Sequence, residues 1–207
     1  MANDDTIRAR GGLLPVDYPF GAFKKTYYRL LTSAAAGVYL GQPMAAQATG
    51  DVAPLALANS GAACIGSVVG FLDIDLAALP PLMETTAAGS YLPANTDAYV
   101  AIADDPNQDF VIQEDTGGSA LTRANIFSNA AMIYRASSGD TTTGYSTGEL
   151  DRSSVGTGTG GFLMLKEVHR YVNSDGSVNA PGDYCKWIVR ITKHQFGNLV
   201  GNLGTQV

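Results

Sequence analysis

A chain of 207 residues, 45% of them hydrophobic, is long enough to bury a sizeable core, and its net charge of −6 argues against a nucleic-acid binder held by phosphate contacts. Charged residues make up only 15%, against about 25% in an ordinary soluble domain; Gly, Ala, Thr and Ser take the missing share. No apolar run approaches the roughly 18 residues of a membrane span, and the start Met-Ala-Asn-Asp-Asp lacks the regions of a signal peptide, so the expectation is synthesis and assembly in a cytoplasm.

Residues 1–25 hold Gly11, Gly12, Pro15, Pro19 and Gly21, which leave no apolar period intact and predict an extended N-terminal arm. Residues 1–30 carry Arg8, Arg10, Lys24, Lys25 and Arg29 against Asp4, Asp5 and Asp17, a net +2, which leaves −8 for the remainder. Leu13, Leu14, Val16, Tyr18, Phe20 and Phe23 are costly to leave in water. The arm is therefore expected to dock on an acidic partner surface and not on its own domain.

A β-rich domain is expected over 26–196. Thr26–Leu30 and Gly37–Met44 read as strands, and Cys64–Leu72 as a third in which Gly66 and Gly70 mark bends or bulges. Residues 73–90, with Pro80-Pro81, read as a loop excursion. Tyr99–Ala103 starts a strand, and Asp109–Glu114 alternates with Phe110 and Ile112 on one face. Leu121–Phe127 offers a Thr N-cap and one short helix. The Gly/Ser/Thr-rich segment 137–161 reads as a second excursion, a flexible linker if taken alone. Phe162–Arg170 and Tyr184–Thr192 are strong strands joined through the Asn173–Gly176 loop, and Cys185, Trp187, Val189 and Ile191 share a face. Residues 197–207 form a C-terminal tail. The fold class that follows is all-β, a barrel or sandwich, with Trp187, Val189 and Ile191 packed against Phe110, Ile112 and Val68 in one core.

Chemistry is sparse. His169 and His194 flank strands, without a Gly-x-Ser-x-Gly elbow. Cys64 and Cys185 sit in apolar runs as small buried hydrophobes, without metal-ligand spacing. The run Asp104-Asp105-Pro106-Asn107-Gln108-Asp109 lacks the sixth-position Gly and terminal Glu of a calcium loop and reads as a turn. Glu114 and Asp115, adjacent on a strand, point to opposite faces and make a poor carboxylate pair. The Gly-rich 156–161 lacks the Lys of a phosphate loop. Neither an enzyme nor a cofactor is expected.

Several phrases in order, Gly37–Pro43, Ile65–Phe71, Tyr99–Pro106, Phe110–Asp115, Gly148–Ser154 and Lys186–Ile191 followed by His194-Gln195, resemble a family of tailed-bacteriophage capsid decoration (cement) and head structural proteins. The resemblance implies a virion protein on the outer surface of the capsid, made in the host bacterial cytoplasm, with no catalytic residues to carry over. Its implied partners are the major capsid protein and further copies of itself, as trimers or alternatively dimers, with neither nucleic acid nor membrane. The arm residues expected to make these contacts are Arg8, Arg10, Leu13, Leu14, Tyr18, Phe20, Phe23, Lys24 and Lys25. The competing readings are a tail, collar or head-fibre component, and a carbohydrate-binding β-domain that stacks sugars on Tyr134, Tyr145 or Tyr171.

Overall fold

The computed structural model describes residues 11–16, 23–30, 37–57, 63–73, 91–156, 161–173 and 176–197. Among these residues, eleven strands form two antiparallel sheets. The larger sheet holds β1 (Leu14–Pro15), β7 (Asp109–Gln113), β8 (Asn129–Gly139), β9 (Ser146–Gly156), β10 (Leu163–Val168) and β11 (Lys186–Ile191), in the order β1-β7-β11-β10-β8-β9. The smaller holds β2 (Thr26–Arg29), β3 (Pro43–Ala46), β4 (Val52–Pro54), β5 (Gly66–Asp73) and β6 (Ala98–Ala103), in the order β2-β6-β5-β3-β4.

An open sheet exposes two rows of unpaired backbone groups, and closure removes them. Both sheets curl until their edges meet. In the smaller, Leu30, which follows β2, bridges Val52 at the start of β4. In the larger, Glu114 at the end of β7 bridges Leu150 of β9, and Gly11 bridges Ser146. The prolines comply with this arrangement: Pro15 and Pro54 lie on edge strands and Pro43 opens β3, where no ladder hydrogen bond is lost.

Period-two burial fills each interior. Phe110 and Ile112 of β7, Met132 of β8, Leu150 of β9, Leu163 and Leu165 of β10, and Cys185, Trp187, Val189 and Ile191 form one buried cluster. Leu30, Val38, Met44, Val52, Ile65, Val68, Phe71, Val100 and Ile102 form the other. Val68 thus belongs to the smaller barrel's core, not beside Trp187, because β5 pairs with β3 and β6. The expected bend in β5 is a register shift between Val68 and Gly70. Gly66, with φ at 144°, runs so close to β6 that a Cβ would stand 2.0 Å from the Ala103 carbonyl oxygen.

Two further expectations need correction. The expected arm is anchored to its own domain over residues 11–16: Leu14 and Pro15 pair with Val111 and Phe110, and Leu13 is wholly buried in the larger core. Much of the 137–161 segment is a long hairpin, in which β8 and β9 pair from Ala131↔Asp151 to Tyr134↔Gly148. Its small residues serve close packing: a Cβ on Gly161 would meet the Ala130 backbone at 2.2 Å. The short helix expected here is present as a 3-10 turn, Arg123–Asn125, capped reciprocally by Thr122 and Asn125. The Pro80-Pro81 excursion beyond Asp73 and the tail beyond Gly197 lie outside the described residues.

Candidate functional site

Residues 11–16 occupy the seam of the larger barrel. Gly12 donates its N–H to Gly148 of β9 at 2.8 Å, Val16 donates to Asp109 of β7 at 2.9 Å, and Leu13 between them donates to Gly41 at 2.8 Å. Ser67 of β5 donates its hydroxyl to the Leu13 carbonyl. Six residues thus stitch β7, β9 and the smaller barrel together.

On either side of this stitch the outer surface is hollowed. One depression, about 200 Å3, is lined by Gly11, Gln113, Arg135, Asp140, Thr147 and Glu149. The next, about 280 Å3, is lined by Gly12, Leu14, Pro15, Val111, Gln113, His169, Tyr171 and Lys186. Gln113 belongs to both, because β7 turns Asp109, Val111 and Gln113 outward while Phe110 and Ile112 face the core. Gln113 Oε1 and His169 Nδ1 are buried without a hydrogen-bond partner. Burial lowers the His169 pKa, and Lys186 lowers it further, so the ring is held neutral. An unpaired amide oxygen and a neutral imidazole beside the Lys186 ammonium, which lies 4.3 Å from the Tyr171 ring centroid, make a groove that can accept donors from an incoming chain.

Beneath the groove lies a second polar cluster, inside the barrel. Glu114 continues the inward face of Phe110 and Ile112 and is fully buried. Its carboxylate accepts from Trp187 Nε1 at 2.7 Å and from Arg152 Nη1 at 3.4 Å. Arg152 spends its remaining donors on Asp183 at 2.8 Å, the Thr116 carbonyl at 2.7 Å and the Gly117 carbonyl at 3.2 Å, while its backbone N–H reaches Asp115 at 3.2 Å. Burial pushes the Glu114 carboxyl up to about 7, against the lowering pull of Trp187 and Arg152. Burial likewise raises Asp115. Outside, Asp109 joins three strands by accepting from Lys166 of β10 at 2.5 Å and Arg190 of β11 at 2.8 Å.

The two carboxylates therefore do converge, on Arg152, because the strand ends at Gln113 and alternation no longer applies to Asp115. The signal available in the sequence was Glu114 itself, an acid on the same parity as Phe110 and Ile112. Arg152 was masked by its polar surroundings.

Of the arm residues, Leu13 is in the core, Leu14 is strand-paired, and Phe23 packs against the larger core. Lys24 and Lys25 are exposed, with Lys25 Nζ 5.8 Å from the Tyr27 ring centroid. Arg8, Arg10, Tyr18 and Phe20 lie outside the described residues. The structure thus does not gather the described members into one free surface.

The buried thiols of Cys64 and Cys185 are both pushed up to about 12, chiefly by burial, and stay protonated. Cys64 and His194 are bridge partners in the backbone, and burial keeps that imidazole neutral. The Asp104–Asp109 run is a turn: Asp105 accepts from the Asn107 N–H at 2.8 Å, and Gln108 N–H closes on the Asp105 carbonyl at 2.9 Å. No group of acids, cysteines and histidines among the described residues could hold a metal ion. Tyr134 and Tyr145 are partly buried, packed against the larger and the smaller core; Tyr171 lines the groove, with His169 stacked on it. Among the described residues no helix is long and apolar enough to cross a membrane. No family model, no curated protein and no solved structure matches the chain.

Proposed function

We propose that the chain is a structural protein of a tailed-bacteriophage head that binds the major capsid protein lattice on the outer surface and stabilises the shell, without catalysis. The observation that carries this reading is the use made of the polar chemistry. Glu114, Asp115, Arg152, Asp109, Lys166 and Arg190 tie strand to strand, and do not converge on an open cleft. Such a body is braced to survive on a particle and presents a surface of low charge density.

Three of the phrases that resemble the decoration family supply that bracing: Phe110–Asp115 gives Glu114 and Asp115, Gly148–Ser154 gives Arg152, and Lys186–Ile191 gives Trp187. Residues 1–10, with Arg8 and Arg10, precede Gly11, at the groove that holds Gln113 and His169. Docking would then combine cationic groups from the chain start with donors from the shell entering the groove. A lattice offers many identical sites, so modest affinity per copy suffices when copies also touch one another.

The test is the composition of purified virions. Mass spectrometry should find the chain in hundreds of copies, in fixed ratio to the shell protein. Shells stripped of it should rebind the wild type and lose affinity for a variant lacking residues 1–10, which leaves the seam stitch intact. Absence from the virion would overturn the reading. A few copies per particle would favour a tail, collar or fibre role.

A further inference from the structure

Among the described residues, the larger barrel exposes a set of large apolar side chains. Phe127 is 76% exposed, and Val172 and Val178, bridge partners across a short hairpin, are 61% and 66% exposed. Phe127 also has φ at 70°, a left-handed backbone that an aromatic residue rarely adopts. Its N–H donates to the Leu165 carbonyl of β10 at 2.7 Å, which holds it in that conformation. Backbone strain and exposed apolar area at one residue are both costs to the lone molecule, and strained residues cluster where proteins make contacts.

A depression of about 300 Å3 runs from Ile126, the residue before Phe127, to Val178, and is lined by Arg123, Glu167 and Arg170 among others. It carries both signs of charge. Glu167 and Arg170 are exposed, and no salt bridge among the described residues involves either. A face with an apolar centre and one acid beside basic residues is complementary to itself under a two-fold rotation, the symmetry of most homodimers. A purely cationic patch would repel its copy.

We infer that this face, centred on Phe127 and Val178, is a two-fold interface with a second copy of the chain, in which Glu167 of each protomer meets Arg170 of the other. The interface would form in the isolated protein, so it stands apart from attachment to a shell.

Sedimentation velocity on the full chain across a concentration series tests this without a capsid. A concentration-dependent dimer is expected. Phe127→Asp and, independently, Val178→Asp should each give a monomer with an unchanged circular dichroism spectrum; the second lies on an exposed hairpin, away from the strained backbone. Glu167→Arg and Arg170→Glu should each weaken the dimer at least about tenfold by placing like charges together, and the double swap should restore it. A monomer at every concentration, a trimer, or a dimer indifferent to these substitutions would overturn the inference, as would a double swap no better than the single variants.

Discussion

The two barrels solve the same closure problem with different materials. Among the described residues, the smaller joins its edges through the bridge of Leu30 to Val52 and fills its interior with side chains such as Met44, Ile65, Val68 and Ile102. The larger inserts residues 11–16 into its seam and sets Glu114 against Arg152 within its wall, with Trp187 donating to the acid. Aliphatic packing is non-directional and tolerates small shifts of one strand past another. An interior ion pair with nearly every donor used does not, and it is strongly destabilising when half is removed. The comparison predicts that the smaller barrel responds to volume and the larger to charge and hydrogen bonding.

The sharpest test is Trp187→Ala, which removes the largest fully buried side chain and leaves Glu114 without its best donor. A loss of about 3–5 kcal/mol is expected in urea unfolding. Trp187→Phe keeps most of the ring and should lose about 1–3 kcal/mol through the indole hydrogen bond that the buried Glu114 carboxylate no longer receives. Arg152→Met should lose about 3–5 kcal/mol alone and much less when combined with Glu114→Gln, a coupling that a double-mutant cycle measures. Additive losses would mean that the pair is not a unit.

The pH dependence separates the barrels next. The Glu114 carboxyl, raised from 4.5 to about 7 on folding, binds its proton more tightly in the native state. Its contribution is complete below about pH 4.5 and is lost as pH rises through 7, by about 1.4 kcal/mol per unit at most. His169 and His194, both lowered from 6.5, act in the opposite sense and lose stability as pH falls below 6.5. Glu114→Gln should therefore remove most of the fall in stability between pH 4.5 and 7, leaving the rise from the two histidines against the opposing effect of Asp115, read as thermal midpoints. An unchanged profile would show that Glu114 does not titrate there.

In the smaller barrel, Gly66→Ala should cost about 1–3 kcal/mol, since the new methyl meets backbone and not a movable side chain. Ile65→Val should cost only about 0.5–1.5 kcal/mol, with no change in pH profile. A larger loss there than for Arg152→Met would invert the comparison.

What the sequence disclosed followed from periodicity. The alternation of β7 and β11, the bend at Gly70, and the Thr122 cap are local patterns, and each could be read locally. The β8–β9 hairpin was hidden because its residues are small for a reason outside the segment, the close approach of neighbouring chain. The Leu14–Pro15 strand is too short to show a period, and its partners Val111 and Phe110 lie far along the chain. The Glu114–Arg152 pairing is a three-dimensional fact about two strands that meet only when the sheet curls.

The seam stitch also sets an order of events. Residues 11–16 leave the ribosome before β2, yet their partners on β7 and β9 are synthesised only after the whole smaller barrel. The smaller sheet can pair as soon as β6 has emerged, whereas the larger must wait for β11 before its opening residues have a place to go. Such long-range closure slows folding and leaves strand edges exposed meanwhile. Refolding should therefore show the environment of Trp187 maturing after the smaller sheet has formed, with insertion of Leu13 as the late step that locks the chain.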